Sequence, residues 1–220
     1  MTEGPGLWAV ALRATLDTFE ELGLDVDALC RRIDLDRASL QDPDLRIPLA
    51  VAGRIWPVGV ELWGRGGLGL AAGMALPFGR FEALDYAFAT AGTVSAGLRC
   101  IEAYYRVVTG GITGIRVHVG DELVRVEHLG LVHPELRDYA LGAFVQRIGR
   151  AEVRARQILL AGPPRVPPHE YEANFGCPVT FEAPATVTEL SVEATLAELP
   201  PHFPGLRALV AARPPTSRGS

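Results

Sequence analysis

Phe175-Gly176-Cys177-Pro178-Val179-Thr180-Phe181-Glu182-Ala183-Pro184 changes conformation twice within a few residues, and each change has a mechanical cause. Glycine closes a helix in the left-handed conformation, and Pro178 lacks the N–H that another helical turn would need. Val179-Thr180-Phe181 then alternates as a short strand, which Pro184 ends. The stretch reads as helix, hard stop and strand, so helices and strands share the C-terminal part of the chain.

Working back from it, a short helix is expected from Pro168 to Phe175, a strand from about Arg156 to Leu160, and a helix opened by Pro134 and running to about Val153. Pro163-Pro164 and Pro167-Pro168 bracket a loop. Before these, Ile115, Val117 and Val119 alternate with Arg116 and His118, and Leu123 to Leu129 alternates again, which predicts a hairpin. If Asp121 and Glu122 form its turn, Val119 faces Val124, Val117 faces Val126, Ile115 faces His128, and Arg116 meets Glu127. Moving the turn back one residue would set Arg116 beside Arg125, a like-charge pair, so the first register is preferred. Working forward, a short strand near Val187 to Leu190 and a terminal helix from about Leu206 complete this half.

The first half has helical period. Leu12, Leu16, Phe19 and Leu22 recur at helical spacing up to Gly23, and a second helix is expected from about Asp25 to Ile33. Pro48 opens a third through Val51, Ile55 and Val58, which Pro57 must kink or interrupt. From Thr93 to Thr109, Val94, Leu98, Ile101, Tyr105 and Val108 form an apolar stripe, with Arg99, Glu102 and Arg106 on the other side. Helices first and a small mixed sheet later define an α+β fold.

Composition narrows the functional classes. With 220 residues, 48% of them hydrophobic, the chain can bury one core, and a single domain over residues 1–212 with a linker or disordered tail at 213–220 is expected. A net charge of -5 gives no electrostatic reason to approach a phosphate backbone, so this chain is expected to bind no nucleic acid directly. All 21 basic residues are arginine, which excludes lysine Schiff-base chemistry. Cys30, Cys100 and Cys177 have no Cys-x-x-Cys spacing and suit free thiols in a reducing compartment. Neither a secretory leader nor a membrane span is indicated, and a cytoplasmic location is expected.

Several motifs resemble chemistry without supporting it. Gly64-Arg65-Gly66-Gly67-Leu68-Gly69 fits G-x-G-x-x-G, with Asp85 downstream, but a dinucleotide fingerprint must follow a buried strand, and Val58 to Trp63 is helical. A glycine-rich turn explains it better, and no cofactor is expected. Gly92-Thr93-Val94-Ser95-Ala96-Gly97 lacks the first glycine of a nucleophile elbow, and Ser95 or Thr93 reads as a helix cap. His118, His128, His133, His169 and His202 include no i,i+4 pair on a helix, so no metal site is expected. No nucleophile, base and orienter stand at a recognisable spacing, so no catalytic residue is assigned.

With these readings in place, the Phe-Gly-Cys-Pro-Val-Thr-Phe unit at 175–181 resembles the end of the arabinose-binding-type regulatory domain of AraC-type transcription regulators, in their ornithine-regulator-like branch. Glu21 to Asp25 and the Arg46-Ile47-Pro48-Leu49 unit resemble the family's opening. Leu68-Gly69-Leu70, Gly79-Arg80-Phe81, Leu84-Asp85-Tyr86 and Thr93 to Leu98 resemble its further stations in order, so the resemblance covers about residues 7 to 212. It implies effector binding by a small molecule, homodimerisation, and promoter binding by a pair of helix-turn-helix units that family members carry after this domain. The Pro, Ser and Gly run ending at Ser220 is expected to be a linker rather than such a unit, so that half is expected to be absent. A stand-alone binding protein or enzyme reusing the scaffold, or a purely structural dimerisation module, is the alternative.

Pattern and periodicity, rather than any ligand-binding motif, supply the candidate pocket residues Arg80, Phe81, Tyr86, Tyr104, His128 and Phe144. Tyr86 and Tyr104 carry hydroxyls that need partners if buried, and His128 shares a face with apolar neighbours, either as a satisfied core residue or as a hydrogen-bonding group for a ligand. Arg80 either meets a carboxylate bidentately or stands solvated.

Overall fold

The computed structural model describes residues 6–199. The expected terminal helix from Leu206, His202 and the tail at 213–220 lie outside these residues. The chain opens with β1 (Gly6–Trp8) and α1 (Ala9–Glu21), continues through α2 (Val26–Ile33) and a 3₁₀ turn at Arg37–Gln41, and returns as β2 (Arg46–Pro48). β1 and β2 pair antiparallel, Leu7 opposite Ile47. Asp25 caps α2 by accepting from the N–H of Ala28 at 2.8 Å.

The third expected helix is two. α3 (Leu49–Ala52) and α4 (Ile55–Trp63) are separated at Gly53-Arg54, ahead of the proline. Pro57 thus falls in the first turn of α4, where its missing N–H leaves no helical bond unmade. The glycine run after α4 is a turn with Gly64 and Gly67 at positive φ, and it leads into α5 (Leu68–Ala75) without a strand. α6 (Ala83–Ala89) follows, then α7 (Val94–Val108), capped by the Thr93 hydroxyl, which accepts from the N–H of Ala96.

The hairpin has the predicted register: β3 (Gly114–Val119) and β4 (Leu123–Leu129) pair Val119 with Val124, Val117 with Val126 and Ile115 with His128. Arg116 reaches Glu127 at 3.1 Å on the outer face. α8 (Pro134–Gly149) stops short of the expected Val153, where the chain turns through Glu152 at φ 58°. β5 (Gln157–Leu159), α9 (Pro168–Phe175), β6 (Val179–Thr180), β7 (Thr186–Ser191) and α10 (Val192–Thr195) complete the described chain. Gly176 ends α9 at φ 69°, the left-handed cap the sequence calls for. The main sheet runs β3-β4-β7-β5-β6, antiparallel except for the β5–β6 pair, and with the helices preceding it makes an α+β fold.

α8 is the axis of the domain. Eleven of its sixteen residues are buried, so it has no long solvent face. On one side it meets α5 at very close range: a Cβ added at Gly69 would lie 1.9 Å from the carbonyl oxygen of Glu135, and one at Gly73 would lie 2.5 Å from that of Tyr139. The charged side chains it buries all have partners. Glu135 accepts from the N–H groups of Gly67 (3.2 Å) and Gly69 (2.6 Å), capping α5 from across the interface. Arg137 pairs with Asp138, whose other oxygen accepts from the Tyr171 hydroxyl at 2.5 Å, tying α8 to α9. Arg147 pairs with Asp85 of α6. No helix among the described residues is long and apolar enough to cross a membrane.

Candidate functional site

Two adjoining cavities lie where α1, α7 and α8 meet the ends of β3 and β4, separated by Phe81 and Tyr105, which belong to both walls. The smaller, about 40 Å³, has room for little more than a water molecule and is bounded by His128, Phe144 and the Asp85–Arg147 pair. The larger, about 380 Å³, is within the range of small-molecule sites. Its apolar wall comes from Leu7, Ala11, Leu49, Ile55, Val108 and Leu136 together with Trp56, Phe81, Tyr105 and Tyr139. Ile112 and Val132, 42% and 88% exposed, flank its mouth.

The sequence builds this space locally. The α7 stripe turns Tyr105 and Val108 inward, and α8 presents Leu136 and Tyr139 three residues apart, on one helix face. Trp56 is fixed by edge contact with Phe19 (centroids 5.4 Å), by Tyr139 (5.3 Å) and by stacking with His133 (6.5 Å, 26°).

The polar groups of the larger cavity are few and mostly satisfied. The Thr15 hydroxyl donates to the carbonyl of Ala11 (2.9 Å) and pairs with the Tyr139 hydroxyl (3.1 Å). Thr109 donates to the carbonyl of Thr113 at 2.7 Å, and the Thr113 side chain hydrogen-bonds the Tyr105 hydroxyl. Burial pushes both tyrosine pKa values up, so both hydroxyls stay protonated at neutral pH. Tyr105 is only half-buried by area because its ring faces the cavity, while its hydroxyl is deeply enclosed. In the smaller cavity His128 pairs with the Thr188 hydroxyl at 3.1 Å and meets Phe144 edge-on, and burial lowers its pKa to about 4.

Three of the six sequence candidates converge here: Phe81 on both walls, His128 and Phe144 on the smaller. The other three do not. Tyr104 is 58% exposed on the outer side of α7. Arg80 is occupied by α1, with Asp17 at 3.1 Å and Glu21 at 2.5 Å. Tyr86 is half-buried and on neither wall. Sequence reasoning missed Trp56, His133 and Tyr139 as cavity residues. For Tyr105 the signal was present, since the α7 stripe already contained it.

A third depression, about 400 Å³, runs between the glycine turn and the start of α9, with Arg65, Arg165 and Glu170 of mixed charge along it. Among the described residues no group of three or more His, Cys, Asp or Glu could hold a metal ion. Cys30 and Cys177 are buried free thiols, and burial raises the Cys177 pKa to about 11, far from a reactive thiolate.

An α+β domain built around an apolar cavity with a few fixed hydroxyls is a ligand-binding type of module. The family model for the arabinose-binding domain of AraC transcription regulator, N-term, matches residues 23–201, and the chain belongs to that family. The crystal structure of the transcriptional regulator CdpR from Pseudomonas aeruginosa has a similar fold, with a TM-score of 0.53 at 19% identity over 79% of this chain. The match takes in 55% of that regulator, so the chain spans about half of its length. No curated protein matches the chain.

Proposed function

We propose that this chain is the small-molecule-sensing regulatory domain of an AraC-type transcription regulator, acting in the cytoplasm as a homodimer, with the 380 Å³ cavity as its effector site. Family membership supports the regulatory role. The observation that carries the site is the convergence of α1, α3, α4, α7, α8 and the base of the hairpin on one apolar space with prearranged hydroxyls. DNA contact would come from a separate helix-turn-helix domain, and no catalytic step is assigned.

Occupancy can act as a signal only if the effector binds one arrangement of the domain better than another. Cavity residues on both α7 and α8 give it that leverage, because a ligand wedged between them sets their separation. A thermal-shift screen of a metabolite library tests the reading. A ligand at a hundred times its Kd stabilises by about 2.7 kcal/mol, roughly 5–10 °C in Tm for a chain of this size. Val108→Trp, which fills the cavity from α7, is expected to abolish the shift. A library without hits, or hits that shift Val108→Trp equally, would count against it.

A further inference from the structure

We propose that the cavity takes an uncharged, largely apolar molecule bearing one hydrogen-bond acceptor, a carbonyl or ether oxygen, and that the acceptor meets Nε2–H of His133. The inference rests on the reading of the cavity as the effector site and adds the ligand's chemistry.

Its first support is the lining. Among the described residues, no Asp, Glu or Arg side chain lines the larger cavity. The charged residues of α8 beside it are committed elsewhere: Glu135 to the backbone N–H groups of Gly67 and Gly69, and Arg147 to Asp85 through two bonds of 2.6 and 3.0 Å. A carboxylate or ammonium entering the space would lose its hydration and gain no counter-charge. The second support is that most of the hydroxyl protons are already used within the wall. Thr15 spends its single proton on the Ala11 carbonyl, so Tyr139 supplies the proton shared between their oxygens. Thr109 spends its proton on the Thr113 carbonyl, while the Thr113 side chain and the Tyr105 hydroxyl share one hydrogen bond, which leaves one proton of that pair for another acceptor.

His133 adds a ring donor to the cavity wall, and its hydrogen bonding fixes its tautomer. As the N-cap of α8 it accepts at Nδ1 from the N–H of Glu135 at 3.2 Å. A neutral imidazole that accepts at Nδ1 carries its proton on Nε2 and can only donate there. Burial holds its pKa below the usual histidine value, so the neutral form prevails at pH 7. The ring stacks on Trp56 at the cavity wall, which orients the donor beside a flat apolar surface.

The experiment is a set of fluorescence titrations on the whole chain with three naphthalene probes of matched size: 6-propionyl-2-dimethylaminonaphthalene (neutral, with a carbonyl), 6-propyl-2-dimethylaminonaphthalene (neutral, without it) and 6-dimethylamino-2-naphthoate (anionic). The neutral ketone is expected to bind, the carboxylate at least about 100-fold more weakly. His133→Asn keeps a side-chain acceptor for the N-cap but removes the ring donor. It is expected to weaken the ketone about 10-fold and to leave the propyl probe within about twofold. Val108→Trp, or Leu136→Trp from the opposite wall if the first does not fold, is expected to block both neutral probes. Tight carboxylate binding that Val108→Trp blocks would overturn the ligand class while leaving the cavity as the site. Equal loss of both neutral probes in His133→Asn would overturn the donor assignment. Failure of every probe to bind, or binding that neither wall variant weakens, would overturn the cavity reading itself.

Discussion

Asp85 collects four donors in the interior: the N–H groups of Gly79 (2.8 Å) and Phe81 (3.0 Å), and Nε and Nη2 of Arg147 at 2.6 and 3.0 Å. Both partners of the ion pair are buried, so removing one leaves an uncompensated charge. Asp85→Ala is expected to destabilise the domain by about 3–5 kcal/mol, read as a lower urea midpoint, and a loss under 1 kcal/mol would contradict the pairing. His128 makes a pH prediction. Its pKa is depressed from 6.5 to about 4 in the folded protein, so between those values the unfolded chain binds the extra proton. Stability therefore falls as pH drops through that window, by about 3 kcal/mol in all. His133 contributes in the same direction, since its pKa is also lowered. His128→Gln should flatten most of the Tm decline between pH 7 and pH 4, and an unchanged decline would show that another group is responsible. Tyr104 and Tyr105 illustrate what was legible at this scale. Adjacent helical positions point about 100° apart, and the α7 stripe containing Ile101 and Val108 turns Tyr105 inward and leaves Tyr104 outside. Arg80 was not legible, because its partners Asp17 and Glu21 lie about sixty residues away in sequence.

At the scale of elements, the α5–α8 contact depends on absent side chains. Gly69 and Gly73 lie four residues apart, one helical turn, and present bare backbone to the α8 residues Glu135 and Tyr139. Gly69→Ala is expected to force the helices apart and lose about 3 kcal/mol, although alanine favours helix more than glycine does. A neutral or stabilising outcome in chemical denaturation would contradict the close packing. This explains why α5 was missed from sequence, since a glycine-rich run has no visible amphipathic period when its packing face is glycine. The hairpin was legible down to its register because charge pairing and alternation agreed. β1 and β2 were not, since three-residue strands carry too little pattern and pair across some forty residues. α8 was located from Pro134, but its central place was hidden, because polar residues satisfied by distant partners look like a solvent face.

For the whole molecule, the α+β class and the order of helices before sheet followed from the change of period along the chain, and family membership was carried by motifs spread through it. The cavity was only half legible. Its walls come from segments as far apart as Leu7 and Tyr139, so no local pattern marks it, and aromatic content alone pointed as readily to Tyr86 and Tyr104 as to Trp56 and Tyr139. The most direct test of the account is a crystal structure of the protein with the tightest binder from the thermal-shift screen. Ligand density between Trp56, Val108 and Tyr139, with an acceptor atom within hydrogen-bonding distance of His133 Nε2, is the predicted result. Density elsewhere, in the groove beside Arg65 and Arg165 or between two copies of the chain, with the cavity unchanged, would contradict it.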